Sequence, residues 1–355
     1  MAEWSENALG GGRSEAPVSY REAGVDLDAA AHVKMRLKDF AAATCDVNTL
    51  SSVGSFAGLY ALPPGLAEPV LVSSTDGVGT KLKVAIQVEC HDTIGHDLVN
   101  HCVNDILVQG ARPLFFLDYL AVGEMDERIV GDVVSGVAAG CRENECVLLG
   151  GETAQMPEFY RPGEYDLAGF VVGAVERDRL LDGRAVRAGD RLIALGSAGL
   201  HTNGYTLARR IVFDRVGLST EDPFPGTGRS VADELLAPHR SYLRPLAPLL
   251  DEGRVLALAH VTGGGIPGNL PRVLPDGLGA VVERGSWEPP QVFAWLQEAG
   301  RVEQAEMDRV FNMGVGMIAV VTVAEADTVL RALRARGETA WHLGRVEVGA
   351  GVRYS

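Results

Sequence analysis

The sequence predicts an α/β (α+β) protein built from two domains. Its 355 residues exceed what a single hydrophobic core usually serves. Short β-branched runs alternate along the chain with segments whose apolar residues recur at helical spacing. The turn motif Asp182-Gly183 then indicates a boundary near residue 178. We therefore expect a disordered extension over residues 1–16, an N-terminal domain over 17–177 and a C-terminal α/β domain over 178–355.

The N-terminal half begins with a predicted strand over residues 70–75, a β-branched run that follows Pro69 and enters a glycine-rich turn. Apolar residues recur every three or four positions over 91–111, which indicates a helix. A second strand is expected over 114–122. Further along, the pattern predicts a helix at about 128–144 and strands over 146–149 and 166–175.

The C-terminal half shows the same alternation. We expect strands over residues 191–195, 279–283 and 315–323. Helices are predicted from about 203, at about 232–250, over 290–299 and over 324–336. Both halves are therefore α/β in character, and no repeat of solenoid period appears.

The composition is that of an ordinary soluble globular protein, with 46% hydrophobic and 22% charged residues. A formal net charge of -15 argues against nucleic acid as the main partner, because binding a phosphate backbone relies on dense Lys and Arg. No apolar run approaches the ~20 residues that span a bilayer, so no membrane partner is expected. The five cysteines contain no C-x-x-C pair, which favours reduced thiols and a cytoplasmic location over a zinc site.

An anion site is one interpretation of the loop that follows the first predicted strand. Gly77 and Gly79 would let backbone N–H groups approach a phosphate. Asp76 could hold a metal ion, and Lys81 would add a positive charge beside Thr80. The spacing is not that of a Walker loop, and a purely structural turn is the alternative.

Polar residues mark the first predicted helix. Asp97, His101 and Asp105 recur every four residues and share one stripe with Asn104, opposite the apolar face. A nucleotide or metal site is one interpretation of this stripe, and a solvated helix face is the other. We expect His101 to be a bystander rather than a ligand.

Glu152 follows a pair of glycines at the end of another predicted strand. Its carboxylate comes close to Asp76 and Asp105 if the strands are neighbours. Crowded carboxylates raise one another's pKa unless a divalent cation neutralises them, and magnesium favours oxygen ligands that it shares with nucleotide phosphates. The alternative is a β-turn with an exposed Glu152.

Two later loops also suit an anion. His201 lies between a predicted strand and helix, where it could donate a hydrogen bond or move a proton beside a helix N-terminus. Thr202 or Asn203 could instead act only as the helix N-cap. A second loop, the triple-glycine loop, suits a phosphate without being specific for one; it consists of Thr262, Gly263, Gly264 and Gly265.

Taken together, these segments resemble the phosphoribosylformylglycinamidine cyclo-ligase (aminoimidazole ribonucleotide synthetase) family. The resemblance extends from residue 19 almost to the C-terminus and keeps the motifs in the family's order, which makes it far more specific than one glycine loop. The motifs that carry it are residues 19–26, 75–81, 91–95, 102–105, 113–119, 150–157, 165–166, 201–205, 235–238, 262–265, 271–275 and 311–317. Residues 1–16 lie outside it.

The resemblance implies a mixed sheet in the N-terminal domain that pairs with a second copy into a barrel-like dimer core. It implies ATP-dependent cyclisation of formylglycinamidine ribonucleotide to aminoimidazole ribonucleotide, with release of ADP and phosphate, in purine biosynthesis. The reaction would pass through a phosphorylated formamide intermediate. ATP and Mg²⁺ would be the cofactors of a cytoplasmic homodimer.

The same resemblance implies roles for individual residues. The magnesium ligands would be Asp76, Asp105 and Glu152. The ATP-binding residues would be Asp76, Gly77, Gly79, Thr80, Lys81, Asn104, Asp105 and Glu152. The catalytic residues would be His201, Lys81 and Asn203. The substrate-binding residues would be Thr262, Gly263, Gly264 and Gly265.

Other enzymes of the same ATP-binding superfamily are the alternative. A selenophosphate synthetase needs a reactive Cys or selenocysteine near its N-terminus, and Cys45 lacks that setting. The larger formylglycinamidine synthetase needs a glutaminase domain, for which this chain is too short. A thiamine-phosphate kinase would transfer phosphate to an isolable product, whereas cyclisation releases free phosphate. A non-catalytic nucleotide sensor is a hypothesis of another class, against which the retained acidic residues argue.

Overall fold

The computed structural model describes residues 19, 24–25, 27–52 and 54–355. The predicted extension over 1–16 lies outside these residues. The strands are β1 (Pro69–Gly77), β2 (Arg112–Val122), β3 (Val147–Gln155), β4 (Tyr165–Glu176), β5 (Arg191–Gly196), β6 (Ala257–His260), β7 (Leu278–Val282), β8 (Val315–Val321), β9 (Ala340–Val348) and β10 (Val352–Tyr354). The helices are α1 (Leu27–Ala42), α2 (Leu82–Val88), α3 (Asp92–Leu107), α4 (Glu127–Glu143), α5 (Tyr205–Arg209), α6 (Val231–Leu235), α7 (Leu243–Asp251), α8 (Gly265–Asn269), α9 (Gln291–Gly300), α10 (Gln304–Val310) and α11 (Ala326–Ala335).

The first sheet has the strand order β1-β4-β2-β3 and is mixed. Strand β4 pairs antiparallel with β1 and β2, whereas β2 pairs parallel with β3. Helices α3 and α4 pack on one face, where Leu98, Phe116 and Val137 are fully buried and each stabilises the fold by roughly 1.5–3 kcal/mol. The other face exposes Leu71 and Phe170. The predicted mixed sheet is confirmed, and its pairing into a dimer barrel stays a prediction.

The second sheet has the strand order β10-β7-β9-β5-β8-β6. Strands β10 and β7 are parallel, and the other neighbouring pairs are antiparallel. Alternate residues of the central strands face two different cores: Ile193 and Met317 lie in one, and Leu192 and Ile318 in the other. The predicted α/β character of this half is confirmed. The division of the chain at residue 178 stays a prediction.

Most elements expected from the sequence are confirmed, but the helix expected over 232–250 is wrong. Helix α6 ends at Leu235 and α7 begins at Leu243. An irregular stretch over 236–242, the connecting segment, joins them. Pro238 favours the break because proline lacks an N–H group and disfavours helical conformation in the residue before it. The sequence pattern also does not predict β6, β9, β10, α1, α2, α8 or α10.

The described part of the chain contains no helix that is both long enough and apolar enough to cross a membrane. All five cysteines are free thiols, as predicted. Cys102, Cys141 and Cys146 are buried.

Candidate active site

Helix α3 is buried on almost every side, so its polar stripe is not a solvated face. Asp97 and Asn104 are fully buried, and the connecting segment covers them. The backbone N–H of His239 donates to Asp97 Oδ1 at 2.6 Å, and that of Tyr242 donates to Asn104 Oδ1 at 2.9 Å. Asn104 Nδ2 donates in turn to the carbonyl of Arg240 at 2.7 Å. Polar side chains of α3 therefore satisfy the backbone of the irregular segment, as burial requires.

Lys81 belongs to this junction and not to a phosphate-facing loop. Its Nζ lies 2.7 Å from Asp97 Oδ2, and both side chains are completely buried. The same ammonium donates to the carbonyl of Ala237 at 2.8 Å and lies over the ring of Tyr205. Burial lowers the pKa of Lys81, although the carboxylate of Asp97 opposes this shift. The structure does not bring Lys81 to the predicted magnesium ligands, because its charge is used to attach the connecting segment to α3.

Four histidines gather where α3, the connecting segment and the ends of β5 and β6 meet. They are His101, His201, His239 and His260, and all four are buried. The ring centroids of His101, His239 and His260 lie 5.2 Å from one another, and His201 stacks on His239 at 4.0 Å. We name this group the histidine cluster. The ring of His101 contacts Asp76, and the expectation that it is a bystander rather than a ligand stays a prediction.

A continuous hydrogen-bonded chain passes through this cluster between two of the predicted magnesium ligands. In order, it consists of Asp76, His101, Thr202, His239, His260 and Asp105. The successive donor–acceptor distances are 2.7, 2.7, 3.4, 3.1 and 2.8 Å. The structure thus places Asp76 and Asp105 at the two ends of one polar chain, and their role as magnesium ligands stays a prediction.

Electrostatics determine which members of this chain carry charge. Burial alone would lower the pKa of His101, but its hydrogen bond to Asp76 raises that pKa above the ordinary value. Burial lowers the pKa of His260 despite the neighbouring Asp105, and it lowers the pKa of His239 far more. Burial raises the pKa of each aspartate, yet the histidine bonds outweigh it and both values fall. Both aspartates are therefore ionised at neutral pH, the rings of His239 and His260 are neutral, and His101 holds a proton more tightly than a free imidazole does.

The partners of each ring indicate which nitrogen carries its proton. Protonated His101 donates through Nε2 to Asp76 and through Nδ1 to the hydroxyl of Thr202. His239 Nε2 accepts the side-chain amide of Asn104 at 3.2 Å, so the proton of this neutral ring lies on Nδ1 and is donated to the hydroxyl of Thr202. His239 Nε2 and His260 Nε2 lie 3.1 Å apart. The His260 proton, on Nδ1, is donated to Asp105. These hydrogen bonds hold the side chains of the cluster in place.

His201 has a different role in the cluster. Its Nε2 accepts the backbone N–H of Ala198 at 3.1 Å, so the neutral ring carries its proton on Nδ1. This buried Nδ1 has no partner within the described residues. Burial, followed by the charges of His260 and Lys81, lowers its pKa well below the ordinary value. His201 also has a φ of +63°, a strained conformation for a residue other than glycine. Among the described residues, the ring therefore leaves one buried N–H donor unsatisfied.

A transition metal is not the best occupant of this cluster. Ligating atoms of His201, His239 and His260 lie within 4.8 Å of one another, which is close enough for a shared ion. However, Nε2 of His201 already accepts the backbone N–H of Ala198, so the proton of this neutral ring is on Nδ1. A metal at Nδ1 would have to displace that proton. A hydrogen-bond acceptor such as a substrate oxygen fits the donor without this cost.

The loop after β1 is held by its own contacts. Asp76 Oδ1 accepts the backbone N–H of Gly77 at 2.7 Å. Gly79 has a φ of +68° and begins a short 3₁₀ turn. Thr80 Oγ1 lies 2.9 Å from the hydroxyl of Thr206 in α5. These contacts place the predicted ATP loop beside the start of α5 and fix the direction of the Asp76 carboxylate.

Glu152 lies apart from the other acidic residues. Strands β1 and β3 are opposite edges of the first sheet, and the register places Gly77, Ala168, Tyr119 and Glu152 in one row. Three strand spacings, about 14 Å, therefore separate Glu152 from the end of β1. Its exposed side chain shares the face of Tyr119, away from α3. The expected cluster of three carboxylates is corrected: within one chain, Glu152 cannot share a cation with Asp76.

The triple-glycine loop follows β6 directly and lies against Asn203. Gly264 and Gly265 have φ values of +99° and +58°, and a Cβ on Gly265 would lie 1.8 Å from a backbone carbonyl oxygen. The side-chain amide of Asn269 donates to the carbonyls of Gly265 and Gly263 at 2.9 and 3.3 Å. A Cβ on Gly263 would lie 3.1 Å from Asn203 Oδ1. The structure therefore brings the two predicted substrate-side groups together.

Comparison with known proteins identifies the family. Residues 57–175 match the family model "AIR synthase related protein, N-terminal domain", and residues 187–354 match "AIR synthase related protein, C-terminal domain". A phosphoribosylformylglycinamidine cyclo-ligase from Trichlorobacter lovleyi is 50% identical over 335 residues, which cover 94% of this chain and 96% of the relative. The cyclo-ligase from Sorangium cellulosum is 54% identical over 331 residues, which cover 93% and 95%. The chain belongs to the phosphoribosylformylglycinamidine cyclo-ligase family. The resemblance deduced from the motifs is confirmed.

Solved structures show the same fold as this member of the cyclo-ligase family. A thiamine-monophosphate kinase from Stenotrophomonas maltophilia has a TM-score of 0.68 at 19% identity, over 90% of this chain and 96% of that one. The hydrogenase maturation protein HypE in complex with ATP has a TM-score of 0.64 at 21% identity, over 88% and 86%. At these identities the likeness shows the fold alone, and it confirms the predicted fold class.

The sequence patterns do not predict two residues of the histidine cluster as site residues. His239 follows Pro238 in a stretch that the periodicity assigns to a helix interior. His260 ends the short strand β6, which the pattern does not predict. The chain has only eight histidines, and their distribution could have drawn attention to His260, because it lies just before the triple-glycine loop.

Proposed function

We propose that this protein catalyses the ATP-dependent cyclisation of formylglycinamidine ribonucleotide to aminoimidazole ribonucleotide, ADP and phosphate, in the cytoplasm. The identity of about half the residues with proteins named as cyclo-ligases supports the reaction. The HypE structure with ATP supports nucleotide binding by this fold. The observation that carries the site assignment is the pair of ionised carboxylates, Asp76 and Asp105, at the two ends of one buried histidine chain.

The donor set fits magnesium. The charge of Asp105 raises the pKa of Asp76, so the two carboxylates repel each other, although His101 and His260 hold both ionised. A divalent cation would relieve that repulsion, and carboxylate oxygens are the ligands that Mg²⁺ prefers. Asp76 and Asp105 would hold the ion together with the ATP phosphates. When bound, it would neutralise charge on the transferring phosphoryl group.

The first chemical step transfers the γ-phosphoryl group of ATP to the formamide oxygen of the substrate, and ADP leaves. Phosphoryl transfer depends mainly on positioning and on stabilising charge, which preorganised donors provide. His201 Nδ1–H is such a donor, because it is buried, neutral and without a partner among the described residues. We infer that it binds the substrate at the formamide end. Asn203 and the adjacent triple-glycine loop would bind the ribose phosphate.

The second step closes the ring. The amidine nitrogen attacks the activated formyl carbon, the bond from that carbon to the phosphorylated oxygen breaks, and inorganic phosphate leaves. The attacking nitrogen also loses one proton. The phosphate that leaves can accept this proton, so the step balances without a protein base. Burial of the cluster excludes water that would otherwise hydrolyse the activated intermediate.

A homodimer is the assembly that best covers the open face of the first sheet. Leu71, Tyr119 and Phe170 are exposed on this face, and the edges of β1 and β3 pair with no other strand in the described chain. Two such sheets facing each other would bury these side chains. Glu152 shares this face, so we assign it to the dimer interface, near which the family's nucleotide is expected.

The test is a coupled assay of the full-length protein with formylglycinamidine ribonucleotide, ATP and magnesium. ADP and aminoimidazole ribonucleotide should appear in equal amounts, and chelating the metal should abolish both. ADP without the aminoimidazole product would instead indicate a kinase with another acceptor. Absence of turnover by a folded, nucleotide-binding protein would support the sensor hypothesis.

A further inference from the structure

A cavity of about 520 Å³ lies between α3, α4 and the residues that follow Pro238. Its volume falls within the range of small-molecule sites. Asn100 and Ser241 contribute polar groups to it, and Pro238 and Pro245 contribute apolar wall. None of the predicted ATP or substrate residues lines this cavity, and His239 is the one member of the histidine cluster that does. It is therefore a separate site next to the proposed active centre.

The charges that line the cavity are unbalanced. Three arginines face two glutamates, in a protein whose net charge is -15. Arg240 is paired with Glu338 at 2.7 Å. Glu143 is paired with His96 and also accepts from Asn100. Both carboxylates therefore already have partners.

Arg244 and Arg336 remain without a carboxylate in direct contact. Neither forms an ion pair with any residue in the described part of the chain, although the charge of Arg244 contributes to the lowered pKa of Glu143. Arg336 donates to the carbonyl of Ala332, one turn earlier in the chain. The guanidinium group presents a planar set of donors that matches a phosphate group, and its charge is permanent. Two such groups on one cavity are the arrangement expected for binding an anion.

We propose that this cavity is a second ligand site, which binds a small molecule carrying a phosphate or pyrophosphate group through Arg244 and Arg336. The site is coupled to the histidine cluster by short polar links. Asn100 Nδ2 donates to the carbonyl of His239 at 2.8 Å, and Ser241 Oγ donates to Asn144 at 2.5 Å. An occupant of the cavity therefore stabilises the stretch of chain that carries His239.

Titration calorimetry of the full-length, metal-free protein with sodium pyrophosphate tests the proposal. The wild type should bind with saturation. Arg244→Ala and Arg336→Ala should each weaken binding about tenfold or more, the loss expected for a charge-assisted hydrogen bond. Both side chains are exposed, so thermal melting should show that the variants remain folded.

Two control variants distinguish binding in this cavity from binding elsewhere on the protein. Arg331→Ala removes an exposed arginine of α11 that does not line the cavity, and it should leave binding unchanged. Arg353→Ala removes an exposed arginine of β10 that also does not line the cavity, and it should leave pyrophosphate binding unchanged. The absence of saturable binding, or equal affinity in the wild type and both cavity variants, would overturn the proposal. Loss of pyrophosphate binding in the Arg331 variant would show that binding depends on overall surface charge, and this result would also overturn the proposal.

Discussion

Replacing Lys81 by methionine tests whether this side chain holds the junction together or contacts ATP. Methionine keeps an apolar stem of similar length but leaves Asp97 buried without its counter-ion, which lies 2.7 Å away in the intact protein. Removing one partner of a buried ion pair costs about 3–5 kcal/mol. We therefore expect Lys81→Met to lose about this much free energy of unfolding, measured by urea denaturation at pH 7.

Lys83→Met is the matched control. Lys83 lies two positions further along the chain and pairs with Glu164 at 2.7 Å, but both side chains are partly exposed. Exposed ion pairs contribute about 0–1 kcal/mol, because solvent screens them. Similar losses of unfolding free energy in the two variants would contradict the conclusion that Lys81 stabilises the junction through a buried ion pair.

A double variant distinguishes a structural role of Lys81 in the buried ion pair from a role in binding ATP. Combining Lys81→Met with Asp97→Asn removes the unpaired charge, while the amide oxygen introduced at position 97 can still accept the N–H of His239, so most of the lost stability should return. If Lys81 acts only on the connecting segment, the KM for ATP should stay within about twofold of wild type. Loss of a charge-assisted contact would instead raise that KM roughly tenfold or more. A stable double variant with a KM for ATP raised to that extent would refute a purely structural role for Lys81.

Three further predictions concern the metal site, a buried acid and the open sheet face. Asp105→Asn should cut turnover by orders of magnitude while the fold is retained, and wild-type turnover at saturating magnesium would show that Asp105 is not a ligand. Burial raises the pKa of Asp118 to about 7. The folded state therefore keeps a proton that the unfolded chain releases near pH 4. The free energy of unfolding should then fall by roughly 2–3 kcal/mol between pH 5 and pH 8. Asp118→Asn should flatten this slope in urea denaturation, and parallel slopes would disprove the assignment. Leu71→Asp should produce monomers in light scattering, whereas Val348→Asp, an exposed position on the second sheet, should not.

The sequence predicts best those elements whose burial repeats along the chain. Strand β8 is buried at every position, so it appears as an uninterrupted apolar run. Helix α4 has a clear apolar stripe and an N-cap, because Asp126 accepts the N–H groups of Arg128 and Ile129. In contrast, the connecting segment contains enough apolar residues to be predicted as part of a helix. Its irregular backbone is stable only because Asp97 and Asn104, far away in the chain, satisfy it.

The candidate site shows the same limit. Asp76 and Asp105 are visible in the sequence, because a glycine loop and a helical stripe each mark one local element. The error at Glu152 comes from strand order: β3 follows β2 in the chain and in the sheet, but β4 inserts between β1 and β2 and separates the two edges. His239 and His260 become neighbours only through tertiary folding. Local patterns thus predict which residues can do chemistry, whereas sheet order decides which of them meet.

The contacts of the connecting segment also indicate from which side the substrate enters. Moving this segment away from α3 would break the hydrogen bonds that Lys81, Asp97 and Asn104 make to its backbone, and each buried polar group left unsatisfied costs about 1–3 kcal/mol or more. Opening the junction on this side would therefore cost several kcal/mol, which makes it the rigid wall of the site. Asp76 and the triple-glycine loop take no part in these three hydrogen bonds, and Gly263 in this loop is exposed. We therefore expect substrate and nucleotide to enter beside Asp76 and this loop and to meet histidines that are already in place, so that little binding energy is spent on ordering them.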